Sequence, residues 1–219
     1  MKEIFTSFYF IAPLCIAAII LGIYIIRKST KILIRERLNT TSNKGVGYVY
    51  DILSTEFSSS KVLKDARFIP EASSSKKPDI KPTSDIVFVD KCGVLLITVI
   101  TEKGEFDNPK TGEWKYRFAD AEGKVQIQRK QNPFDATIPQ IRIISELLNN
   151  EGIYSKCIKR IVVYTQSKVR FTYNYSEIIG IEKLIPMIHK MNSSNELTPS
   201  EARVAVSSIA DYVNYLENN

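Results

Sequence analysis

Few residues in this sequence have the type and spacing for chemistry. There is one His, His189, and there are three Cys, Cys15, Cys92 and Cys157. A four-ligand zinc site of Cys and His would need all of them, and Cys15 lies inside an apolar run, so that site is all but excluded. A single His also rules out His-rich catalytic metal centres, and three widely spaced thiols do not make a disulfide framework. His189 beside Cys92 or Cys157 would form a nucleophile pair, but nothing in the sequence brings them together; His189 reads as a surface residue of a helix. No Gly-x-x-x-x-Gly-Lys segment and no Gly-rich dinucleotide turn occurs, so ATP or NAD use has no support.

Carboxylates and lysines offer more. Asp85 heads an apolar run, where an Asp serves as a strand-entry or turn residue, or as a ligand for a hard cation. Lys76, Lys77 and Lys81 fall in a stretch rich in Ser, Lys and Pro from Glu71 to Ser84. They suit contacts to nucleic-acid phosphates, and a solvated loop accounts for them as well. Trp114-Lys115-Tyr116-Arg117-Phe118 has the basic and aromatic interleaving of a nucleic-acid surface. Its period of two is also that of a strand with one buried aromatic face, which is the reading we favour.

These residues need elements to position them. Val46, Val49, Leu53 and Phe57 recur at helical spacing, giving a helix from Lys44 to about Phe57. Val62 to Ile69 is expected to be a strand. Asp85 to Val89 and Gly93 to Ile100 read as a hairpin around Asp90-Lys91-Cys92, apolar enough to be buried on both faces. Glu113 to Phe118 and Val125 to Gln128 are expected to pair. Pro133 to Leu148 carries a helical stripe that Pro139 should kink or restart. Ile158 to Tyr164 is another strand, and Ile181 to Met191 a short helix broken near Pro186. Thr198-Pro199-Ser200-Glu201 is a capping box with Pro at the first helical position, opening a last helix with the stripe Ala202, Val206, Ile209, Val213 and Leu216. The order implies an α/β or α+β sandwich with a mixed central sheet.

The N-terminus is of another kind. Residues 4–26 hold no charged side chain, and as a helix they would span about 34 Å, enough for a hydrocarbon core of about 30 Å. The run is too long for the apolar core of a signal peptide, and no small-x-small cleavage pattern ends it. The expected organisation is a tail 1–3, a transmembrane helix 4–26, a basic juxtamembrane linker 27–43 and a domain 44–219. Arg27, Lys28, Lys31, Arg35 and Arg37 follow the helix with only Glu36 opposing, which puts the domain in the cytoplasm. Residues 1–40 carry six basic and two acidic side chains, so +4 of the net +6 belongs to this flank. The high pI is thus a membrane-surface signal and weak evidence for nucleic acid. With 219 residues, 44% hydrophobic and 25% charged, the rest is an ordinary folded chain.

Asp85-Ile-Val-Phe-Val-Asp-Lys-Cys-Gly-Val-Leu-Leu-Ile resembles the first core hairpin of the nuclease-related domain (NERD) family. Lys103-Gly104 sits where that family has Lys-Gly, Trp114 on a common aromatic, and Asn132-Pro133 on the Asn-Pro that opens a helix. Ile161-Val162-Val163-Tyr164 resembles the late buried strand, so the likeness runs from about 44 to 180. It implies a restriction-endonuclease-like α/β core, a mixed central sheet flanked by helices, in which an Asp and a Glu at strand ends hold Mg²⁺. A Lys two residues after the Glu positions the attacking water.

The match breaks at the chemistry. Asp85 falls on the family's Asp, but its Glu and Lys fall on Thr98 and Ile100, and its Gly-Glu near the first helix on Gly47-Tyr48. Glu102, about 13 Å along the strand from Thr98, could join Asp85 on one ion only if the strand ended and folded back; Asp135 or Glu146 on the following helix could supply a migrated carboxylate. The expectation is a membrane-tethered NERD-like domain, catalytically degenerate, binding nucleic acid such as DNA or scaffolding other membrane-assembly proteins, with no cofactor. The alternatives are an active Mg²⁺-dependent nuclease with migrated ligands and a purely protein-interaction module.

Overall fold

A computed structural model describes residues 45–57, 61–64, 68, 84–154 and 157–218. The chain divides into two units, residues 1–42 and 43–219, and every described residue belongs to the second. The expected membrane helix, the juxtamembrane linker and Lys76, Lys77 and Lys81 lie outside the described residues. Among those described, no helix is long and apolar enough to cross a membrane.

The domain is mixed α/β, with two mixed sheets flanked by helices. It opens with α1 (Gly45–Glu56) and β1 (Lys61–Lys64). The apolar hairpin follows as β2 (Ile86–Asp90) and β3 (Gly93–Ile100), joined through Lys91-Cys92. Gly93 has φ +98°, and a Cβ there would strike the carbonyl of Cys157, so glycine is required twice over. Then come β4 (Gly104–Asp107), β5 (Trp114–Ala119), β6 (Val125–Lys130), α2 (Pro133–Ala136) and α3 (Ile138–Asn150). The chain ends with β7 (Ile158–Tyr164), β8 (Val169–Phe171), β9 (Ile178–Gly180), α4 (Ile181–Asn192) and α5 (Pro199–Asn218).

The central sheet has the order β1-β2-β3-β7-β9, antiparallel across β1, β2 and β3 and parallel from β3 to β7 to β9. Side chains alternate across it. Val87, Val89, Val94 and Leu96 bury against Ile143, Ile144 and Leu148 of α3 and Ala205, Ile209 and Val213 of α5. On the other face Phe88 meets Phe57, just past α1, edge-on at 5.2 Å, beside α4, whose Leu184 and Ile188 are buried. Helices on both faces explain why β2 and β3 are apolar almost throughout, where a half-exposed strand would alternate. The turn of the hairpin is tied to the end of α4: Asn192 donates to the Asp90 carboxylate at 2.7 Å and accepts from the Cys92 amide at 2.9 Å.

The single sheet expected from sequence becomes two. The second has the order β6-β5-β4-β8, antiparallel except for the β4–β8 pair. Its inner face holds Phe106, Trp114 and Tyr116, which cluster with Phe134 of α2 and with Ile100 and Val162 of the central sheet. The expected strand 62–69 reduces to Lys61–Lys64 among described residues.

The prolines behave differently at their two sites. At 133–150 the helix does restart: Asn132 caps α2 by accepting from the Phe134 amide, Thr137 ends it, and Pro139 sits in the first turn of α3, where an N–H has no helical partner. At Pro186 the expected break does not occur, and α4 runs unbroken through it. The carbonyl that loses a partner there belongs to Glu182, on the exposed face of the first turn, where water can serve it.

Candidate functional site

Asp85 lies at the entry to β2, one residue before the Ile86–Ile97 pair, at the end of the sheet where β3 finishes. Its amide donates to the Ile97 carbonyl at 3.0 Å, and its carboxylate accepts from the Val99 amide at 2.6 Å. The side chain therefore extends the β2–β3 ladder by one bond after the backbone pairing stops. Thr98 is half-buried beside it. Ile100, at the expected Lys position, is 6% exposed and packs among Phe106, Trp114, Tyr116 and Phe134. That wall is largely apolar, and an ammonium there would be stripped of water.

The other candidate carboxylates are committed elsewhere. Strand β3 ends at Ile100, so Glu102 is not on its face as expected. It accepts from the Thr101 amide at 3.1 Å and pairs with Lys130 of β6. Lys130 also lies over the Tyr116 ring, 5.1 Å from its centre, and the Tyr116 phenol donates to the Lys103 carbonyl at 2.8 Å. Burial, and then the charge of Glu102, raise the pKa of that phenol. Asp135 accepts from the Gly112 amide at 2.9 Å, holding a loop to α2, and Glu146 is exposed on α3. No group of three or more His, Cys, Asp or Glu side chains among the described residues is arranged to hold a metal ion.

The residues around Asp85 do not fit Mg²⁺. The hard cation requires an octahedral shell of oxygens built on carboxylates. Here one carboxylate already accepts an amide at 2.6 Å, and the side-chain oxygens beside it are the hydroxyls of Thr98 and of buried Ser84, which has no hydrogen-bond partner among the described residues.

The thiols and the His are separate. Burial, and then the neighbouring Asp90 carboxylate, push the Cys92 thiol up to about 12, so it carries no thiolate near neutrality. Cys157 is raised too, chiefly by burial. His189 stands 3.2 Å from Glu56 and against the Phe57 ring.

In β5, Trp114 and Tyr116 point into the aromatic core while Lys115 and Arg117 face out. The outward cations meet acids on β4: Arg117 and Arg170 flank Glu105 at 3.5 and 3.6 Å, and Lys115 is 3.9 Å from Asp107. This face is close to electrically balanced. It also exposes Val125 and Ile127 on the edge strand β6.

One feature escaped the sequence reading: a cleft of about 340 Å³ lined by Tyr164, Phe171, Tyr173, Tyr175, Ile178 and Lys183, among others. It lies beside β7 and β9, lined by Tyr164 at the carboxyl end of β7, by the 173–176 segment that leads into the amino end of β9, and by Lys183 of α4. The signal was available in Phe171-Thr172-Tyr173-Asn174-Tyr175, where every second residue is aromatic. Burial, and then Glu182, raise the Tyr164 phenol. Glu177, just before β9, is held below the usual carboxylate range by the Ser176 hydroxyl and, less strongly, by its own amide and by Lys110 and Arg160.

The fold and this arrangement define a mixed α/β domain with an aromatic cleft beside the edge strand β9 of its central sheet. No protein-family model, no curated protein and no solved structure matches the chain.

Proposed function

We propose that this is a single-pass membrane protein whose cytoplasmic NERD-like domain has a restriction-endonuclease-like core and has lost metal-dependent cleavage. It serves as a nucleic-acid-binding or scaffolding module at the membrane. The mixed central sheet with helices on both faces, and Asp85 beside Thr98 and Val99 on adjacent strands, are of the form the resemblance implies. The observation that carries the loss of chemistry is Ile100: the position that would bear the Lys is packed inside an aromatic cluster. Asp85, the one of the family's four chemical positions retained, works as a ladder acceptor. The tether rests on the uncharged residues 4–26 and the basic flank after them.

The scaffolding arm has its own support. The outer face of the second sheet pairs its cations with acids and exposes Val125 and Ile127 at its edge, a surface better suited to protein than to a polyanion. The test is binding of the full chain, in detergent, to labelled DNA across a salt series. A nucleic-acid module loses affinity steeply as salt rises through counterion release. Absence of DNA affinity at low salt removes that arm and leaves the scaffold.

A further inference from the structure

We propose that the cleft beside β7 and β9 is a stacking site for the bases of a single-stranded nucleic acid, with Lys183 as the cation for an adjoining phosphate. This rests on the binding-module reading and names its ligand class and its site. The rings of Tyr173 and Tyr175, two residues apart, lie nearly parallel at 22° with centres 6.3 Å apart. Successive rings on one extended segment form a platform for successive bases, and stacking accepts any base. Tyr173 is 48% exposed, so its ring is available.

The platform is preformed. Asn108, fully buried, donates to the Tyr173 carbonyl and accepts from its amide, both at 2.9 Å. Thr172 donates to the Phe106 carbonyl at 2.9 Å, and Ile178 to the Tyr175 carbonyl at 3.1 Å. Four bonds fix seven residues, so little loop entropy is lost on binding. The volume is at the lower end of the range for small-ligand sites, of a size for a base. Lys183 is the charged residue of the cleft's lining. That cation suits an anionic strand better than a proline-rich peptide, the other occupant that aromatic grooves accept.

The test is fluorescence anisotropy with the full chain in detergent, using labelled oligothymidylate, a hairpin duplex of equal length and a proline-rich peptide. The single strand should bind best. Tyr173→Ala and Tyr175→Ala should each weaken it about tenfold, while Tyr173→Phe, which keeps the ring, should stay within about twofold. Lys183→Ala should lower the log–log salt slope by about 0.7, one phosphate's worth. Unchanged melting of Tyr173→Ala, whose ring is exposed, separates loss of the ring from loss of the fold, whereas Tyr175→Ala also loses its contact with Phe134 and is read against its own melting curve. Single-strand affinity indifferent to Tyr173→Ala would overturn the site while sparing the binding-module reading. Equal affinity for the duplex, or preference for the peptide, would overturn the ligand class. No affinity for either nucleic acid would overturn both the inference and the nucleic-acid arm of the function.

Discussion

Ile100 and Asp85 can be tested one side chain at a time. Restoring the family's Lys by Ile100→Lys would set an ammonium among Phe106, Trp114, Tyr116 and Phe134. An uncompensated buried charge costs about 3–5 kcal/mol, so denaturant unfolding should show a large fall in midpoint and no gain of cleavage. Asp85→Ala removes the acceptor of the Val99 amide and should cost about 1–3 kcal/mol by the same measurement. Asp85→Asn keeps an acceptor oxygen and should cost less. Equal losses for Ala and Asn would contradict the ladder role. Asp85 was legible as a candidate because a carboxylate at the head of an apolar run is conspicuous. Its partner was not, since a side chain bonding to a backbone amide on the next strand leaves no mark in sequence spacing.

Elements were legible where periodicity had room to act. The hairpin β2–β3, the restart at Pro139 and the capping box of α5 follow directly from residue order. β4, β8 and β9, of three or four residues each, are too short for a period to emerge, and with them went the second sheet and the cleft it helps build. Thr198 accepts from the Glu201 amide at 3.3 Å while Glu201 accepts from the Thr198 amide at 2.7 Å. Thr198→Ala should therefore cost about 1 kcal/mol in thermal or denaturant unfolding. Hydrogen bonding from Thr198 holds the Glu201 carboxyl below its usual range. Its contribution is thus complete above the unfolded pKa of about 4.3 and disappears as pH falls through the lower folded value. The stability difference between wild type and Glu201→Gln should shrink over that acid window; a difference that grows there would contradict the cap. Gly93→Ala combines a strained φ with a clash at the Cys157 carbonyl and should cost about 1–3 kcal/mol.

At the scale of the whole molecule, charge and hydropathy divide the labour. Most of the net charge belongs to residues 1–40, and the remaining residues carry +2. An uncharged 23-residue run followed by that basic flank should hold the chain in the membrane fraction through an alkaline wash, and deletion of residues 1–26 should release it. A reporter fused after Asn219 should be active in the cytoplasm; activity on the opposite side would contradict the orientation. The central claim is that a nuclease-like core has been kept without its cutting chemistry. The most direct measurement is cleavage of single- and double-stranded DNA and RNA by the full chain with Mg²⁺ and Mn²⁺, beside Asp85→Ala. The account predicts no metal-dependent cutting by either protein. Metal-dependent cutting by the wild type that Asp85→Ala abolishes would contradict it.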